Sequence, residues 1–136
     1  MRLSQFSLSS PGPKRDRNED AVDFWEPADD QVRRQHGSVA IIADGVGGQS
    51  NGDVASQLAV HVALEVFRQA NPSLTTKQIL REIFQRANLA IYESGMENPK
   101  GGRMATTLTV CIFRDKELAI GHVGDSRAYL IRNEQI

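Results

Sequence analysis

Three short stretches gather the residue types that bind cations and phosphate. Asp44-Gly45-Val46-Gly47-Gly48-Gln49-Ser50-Asn51-Gly52 places a carboxylate directly after an apolar run and puts four glycines within nine residues. Carboxylate and carbonyl oxygens are the donors preferred by Mg²⁺ or Mn²⁺, and glycine lets a backbone approach an ion that a side chain would obstruct. The same pattern suits a tight strand-to-helix turn in which Asp44 bonds the loop amides, and spacing alone does not choose between the two. Arg15-Asp16-Arg17-Asn18-Glu19-Asp20 offers an arginine able to grip a phosphoryl group bidentately, with carboxylates beside it. Taken alone, it equally describes a solvated cluster of self-cancelling charges. Val123-Gly124-Asp125-Ser126-Arg127 sets Asp125 in a turn, either as a cap or as a further carboxylate at a shared cation site.

Nucleotide chemistry fits less well. Gly47 to Gly52 has the spacing of a phosphate loop, but Asp53-Val54 stands where Lys-Ser or Lys-Thr is needed. Gly45-Val46-Gly47 opens like a dinucleotide fingerprint, but Ser50 replaces its third glycine. His36 reads as a loop residue, His61 as a surface residue, and His122 as a strand residue with no partner at ligand spacing. Cys111, in an apolar strand, reads as core, as do Phe24 and Trp25.

Positioning these stretches requires strands and two helices. Alternation predicts a strand over 2–8, and short strands are expected over 21–25, 38–43, 104–113, 118–123 and 128–131. The run Val39-Ala40-Ile41-Ile42-Ala43 predicts burial on both faces. Residues 26–37 read as a surface loop or hairpin tip, and 97–103 as a loop. Apolar stripes predict a helix over 53–70 and a second one starting at a Thr75/Gln78 capping box and closed by Gly95. The two helices do not alternate one-for-one with strands, so the expected class is α+β, with helices on a face of antiparallel sheet.

Composition narrows the function further. The chain has 136 residues, a formal net charge of −1, 40% hydrophobic and 24% charged residues. That is one globular domain's worth. Near-neutral charge argues against nucleic acid or a membrane surface as partner. One cysteine, no secretory pattern at the start and no long apolar run lead to the expectation of a soluble cytoplasmic protein.

Together the three stretches resemble the metal-dependent serine/threonine protein phosphatases of the PP2C type, in their bacterial form. Gly12-Pro13-Lys14-Arg15-Asp16-Arg17-Asn18-Glu19-Asp20 matches that family's opening pattern G-x-x-R-x-x-N-x-D. Ala43 to Gly48 with Gly52 and Ala55-Ser56, Thr106-Thr107-Leu108, and Val123 to Leu130 match three more, in order. The resemblance implies a sandwich of two antiparallel sheets flanked by helix pairs. It implies two, and in bacterial members three, Mg²⁺ or Mn²⁺ ions activating a water that attacks phosphoserine or phosphothreonine in line. Under it, Asp44 bridges metals, Gly45 gives its backbone carbonyl, Glu19 and Asp20 hold metal-bound waters or a ligand position, and Asp125 serves the third ion. Arg15 binds the substrate phosphate. Implied partners are phosphoproteins, such as a cognate Ser/Thr kinase or its substrates. Ala105 replaces a usual Gly, Pro11 a common Asp, and the interval from Asp20 to Asp44 is long. Further ligating aspartates are expected downstream, so residues 1–136 read as the N-terminal part of one phosphatase domain, inactive alone. The rival expectation is a non-catalytic phosphatase-like module that binds or regulates a phosphoprotein.

Overall fold

A computed structural model describes residues 3–46, 51–97 and 104–136. Among those residues it is an α+β arrangement of five strands and three helices. β1 (Asp20–Trp25), β2 (Ser38–Val46), β4 (Leu108–Arg114) and β5 (Glu117–Val123) form an antiparallel sheet in the order β1-β2-β4-β5, and the two-residue β3 (Ala105–Thr106) pairs with the end of β2. The short loop between β4 and β5 turns at Asp115, whose φ is +54°. α2 (Gly52–Gln69) and α3 (Thr76–Glu97) cover one face of the sheet.

That face carries the core because strand alternation delivers every second residue to it. Val39, Ile41 and Ala43 of β2 and Val110 and Ile112 of β4 meet Ala59, Ala63 and Phe67 of α2 and Ile79 and Ile83 of α3. α3 lies so close over β5 that a Cβ at Gly121 would come 2.5 Å from Phe84 Cε2. The α3 start is the expected capping box: Thr75 N–H donates to Gln78 Oε1 at 2.9 Å, and Gln78 N–H to Thr75 Oγ1 at 3.3 Å. No described helix is long and apolar enough to cross a membrane.

Several expectations are corrected. β2 is buried on one face among the described residues: Val39 is fully covered while Ile42 is 44% exposed. Residues 3–8 and 128–131 form no strand, because no partner strand lies beside them among the described residues; Phe6, Leu8, Tyr129, Leu130 and Ile131 stay exposed. Gly95 lies inside α3 rather than closing it. Residues 26–37 contain a helix, α1 (Asp30–His36), which buries no residue completely and so shows no apolar stripe in the sequence. The expected loop over 97–103 falls, apart from Glu97, outside the described residues.

Local bonds hold α1. The Asp29 carboxylate accepts the amides of Gln31 at 2.8 Å and Val32 at 2.9 Å, and Gly37 closes the helix at φ +89°. His36, its last residue, bonds the Phe67 carbonyl through Nε2 at 2.7 Å, edge-on to Trp25 and Phe67. Val32 and Gln31 amides favour the charged carboxylate, so the Asp29 carboxyl sits below the ordinary aspartate range. A depressed folded-state pKa stabilises above the unfolded value and loses that contribution as pH falls through the folded value. Relative to the intrinsic exchange rate at each pH, protection of the Gln31 and Val32 amides should therefore fall below about pH 4, leaving exchange fast for its pH. Asp29→Ala should show the fast exchange already at pH 7; equal protection in both proteins at pH 7 would remove the cap from this account.

Candidate metal centre

The antiparallel register sets the first two carboxylates together. Asp20 opens β1 and Asp44 lies near the end of β2, and they are direct cross-strand partners. Directly paired residues share a face, here the one opposite the helices, where Ile42 is also exposed. The two carboxyls lie within electrostatic reach of each other. The Asp44 carboxyl is pushed above the ordinary range. Partial burial is the largest cause, although the side chain still meets solvent. The neighbouring Asp20 carboxyl comes next, then the charge of Asp125; Arg15 opposes them.

Asp20, Asp44, Asp125 and Arg15 thus form one electrostatic neighbourhood from three separate stretches of sequence. Glu19 directly precedes β1. Its carboxylate takes Arg15 Nη1 at 2.9 Å, and its backbone carbonyl accepts the Gly45 amide at 2.9 Å. Arg15 remains 61% exposed in its side chain, with donors left over after that pair. Arg17 reaches Asp53 in the first turn of α2 at 3.9 Å.

Gly45 is required by packing. A Cβ there would lie 2.0 Å from the Gly52 carbonyl oxygen and 2.8 Å from that of Glu19. β2 therefore ends pressed against the start of α2 and the Glu19 backbone. Thr107, only 4% exposed, ties this end to the other chain segment. Its Oγ1 accepts the Asp44 amide at 2.9 Å and lies 2.7 Å from Ser126 Oγ, and its own amide donates to the Asp44 carbonyl at 2.9 Å. These bonds interrupt the predicted strand 104–113 and split it into β3 and β4. Residues 47–50 of the glycine-rich turn lie outside the described residues.

Among the described residues, no three His, Cys, Asp or Glu side chains converge into a complete cation site. The donor set nevertheless fits a hard divalent cation. Two carboxylates paired across neighbouring strands repel each other, and a divalent cation bound between them would offset that repulsion. The sequence missed His122, which has two partners: Thr109 Oγ1 at Nδ1 (2.8 Å) and the Gly124 carbonyl at Nε2 (3.1 Å). His122 stands three residues before Asp125 and on a strand, and that proximity was the available signal. His61 pairs with Glu65 on the surface of α2, as a surface reading expects.

The family model for protein phosphatase 2C matches residues 14–136. The chain belongs to the protein phosphatase 2C family. It is 35% identical over 127 residues to the serine/threonine phosphatase stp of Listeria monocytogenes, covering 90% of this chain and 47% of that protein. It is 34% identical over 132 residues to the protein phosphatase PhpP of Streptococcus pneumoniae, covering 94% and 50%. Among solved structures it matches the Mycobacterium tuberculosis serine/threonine phosphatase PstP/Ppp with a TM-score of 0.75 at 31% identity, covering 93% of this chain and 48% of that one. The catalytic domain of PstP in complex with two manganese ions matches with a TM-score of 0.76 at 30% identity, covering 94% and 50%. The chain spans about half the length of the curated relatives it matches.

Proposed function

We propose that the protein carrying this chain hydrolyses phosphoserine and phosphothreonine in proteins, using Mg²⁺ or Mn²⁺. The observation that carries the reading is the Asp20–Asp44 carboxylate pair on one sheet face, with Asp125 and Arg15 in electrostatic reach. Membership of the protein phosphatase 2C family supports it, as does the manganese-bound PstP relative.

Asp44 and Asp20, with the Gly45 carbonyl, are the groups that would hold the cations; Asp125 would add a further carboxylate, and Glu19 acts from the Arg15 side. Divalent cations bound there would supply Lewis acidity for an attacking water and offset charge on the leaving oxygen. Arg15 has exposed donors in a planar fork suited to two phosphoryl oxygens. Its pairing with Glu19 fixes the side chain before substrate arrives, which reduces the ordering cost of binding. The substrates are phosphoproteins, among them a partner Ser/Thr kinase or that kinase's targets. A cytoplasmic site of action agrees with the single, unpaired thiol of Cys111.

Arg15→Ala tests the phosphate contact. A lost charge-assisted hydrogen bond of about 1.5 kcal/mol corresponds to roughly a tenfold rise in KM for a phosphopeptide. The melting temperature should hardly move, because the exposed ion pair with Glu19 is worth under about 1 kcal/mol. Lower stability with unchanged kinetics would make Arg15 a structural residue only.

A further inference from the structure

The turn that carries Asp125 is held on both of its sides, and neither hold follows from the four matched motifs. On one side stands His122. A carbonyl oxygen can only accept, so the nitrogen facing Gly124, Nε2 at 3.1 Å, carries the proton. In the neutral ring Nδ1 then presents a lone pair, and Thr109 Oγ1, 2.8 Å away, donates to it. Thr109 is 4% exposed and is the direct cross-strand partner of both Ile42 and His122, in the row next to Asp44 on the same face. On the other side stands Thr107. Its hydroxyl is 2.7 Å from Ser126 Oγ, and its methyl lies where a Cβ on Gly124 would come within 2.5 Å. Gly124 itself holds φ at +106°, a backbone state that few side chains tolerate. Asp125 is the residue left between these two anchors.

We propose that His122, oriented by Thr109, is a positioning residue that fixes the Gly124 carbonyl and thereby aims Asp125 at the Asp20–Asp44 pair. The inference deepens the phosphatase reading and rests on it for the identity of the cation. His122 touches neither substrate nor cation; it acts through the turn, as partners of ligating groups do when they set orientation.

The test uses the protein carrying this chain, stripped of metal and titrated with Mn²⁺. Phosphopeptide hydrolysis gives one readout; free Mn²⁺ measured by electron paramagnetic resonance gives a second that needs no turnover. His122→Ala should raise the Mn²⁺ concentration for half-maximal binding and activity about tenfold, with the metal-free melting temperature little changed. Gln can place an amide N–H where Nε2 stood, so His122→Gln should restore much of the affinity; the shorter Asn in His122→Asn should not. In an Asp125→Asn background, His122→Ala should add nothing further, because both act through one group. An unchanged Mn²⁺ curve, equal defects in the Gln and Asn variants, or additive effects with Asp125→Asn would overturn the proposal. If the unmutated protein hydrolyses no phosphopeptide while Mn²⁺ binding still separates Ala from Gln, the phosphatase reading fails and the positioning role stands.

Discussion

Asp44→Asn should abolish metal-dependent phosphate release while leaving the metal-free fold intact. Losing the carboxylate that pairs with Asp20 and feels the charge of Asp125 removes several kcal/mol of charge stabilisation at the proposed cation centre. At about 1.36 kcal/mol per factor of ten, that is on the order of a thousandfold in rate. The same substitution should not lower the melting temperature without metal, and should raise it. Asp44 has a raised folded-state pKa, so the folded protein binds its proton more tightly than the unfolded chain. Its contribution to stability therefore falls as pH climbs from the ordinary aspartate value through the raised one, and stays unfavourable above that window. An amide removes this cost at pH 7, and the difference between the proteins should fade near pH 4. Mn²⁺ should stabilise the unmutated protein and not the variant. Calorimetry with and without Mn²⁺ checks these points; a metal-free Asp44→Asn protein that melts lower would show that Asp44 supports the fold instead of straining it.

Gly45→Ala should have the largest effect on stability of any single methyl added to the described residues. The new Cβ would sit 2.0 Å from the Gly52 carbonyl oxygen, and both neighbours are backbone that cannot swing aside. Overpacking of this kind costs roughly 3 kcal/mol, a fall in melting temperature of about 10 °C for a domain of this size. β2 can relieve the clash only by moving away from α2. That motion would also shift Asp44, so Mn²⁺ affinity should fall with stability. Gly12→Ala is the control: a Cβ there meets nothing within 4 Å, although its φ of +71° carries a small strain of its own. Equal losses in the two variants would mean that the contact with Gly52 and Glu19 is not the cause.

Much of the candidate centre was legible from residue types because its parts are local. A carboxylate after an apolar strand, a glycine that packing requires, and an arginine four residues from a glutamate are all short-range patterns. Pairing Asp20 with Asp44 was not legible from spacing, since it depends on the register of β1 against β2; the family pattern supplied it instead. Both long helices were readable from their stripes and from the Thr75/Gln78 box. α1 was hidden because its cap and closing glycine act without a buried stripe. The alternating residues 2–8 and the apolar 128–131 illustrate the opposite error. Periodicity reports which residues suit a strand, while a strand also needs a neighbour to bond. His122 was passed over because histidine partners across a sheet are set by register, and Thr109 lies 13 positions away in sequence.

The most direct test of the central claim is phosphate release from a phosphothreonine peptide by the metal-stripped protein as Mn²⁺ is added back. If the Asp20–Asp44 pair is a cation centre for phosphoester hydrolysis, the stripped protein releases nothing, Mn²⁺ restores release, and excess chelator abolishes it again. A folded protein that binds Mn²⁺ but releases no phosphate, or one whose release ignores the chelator, would contradict that claim.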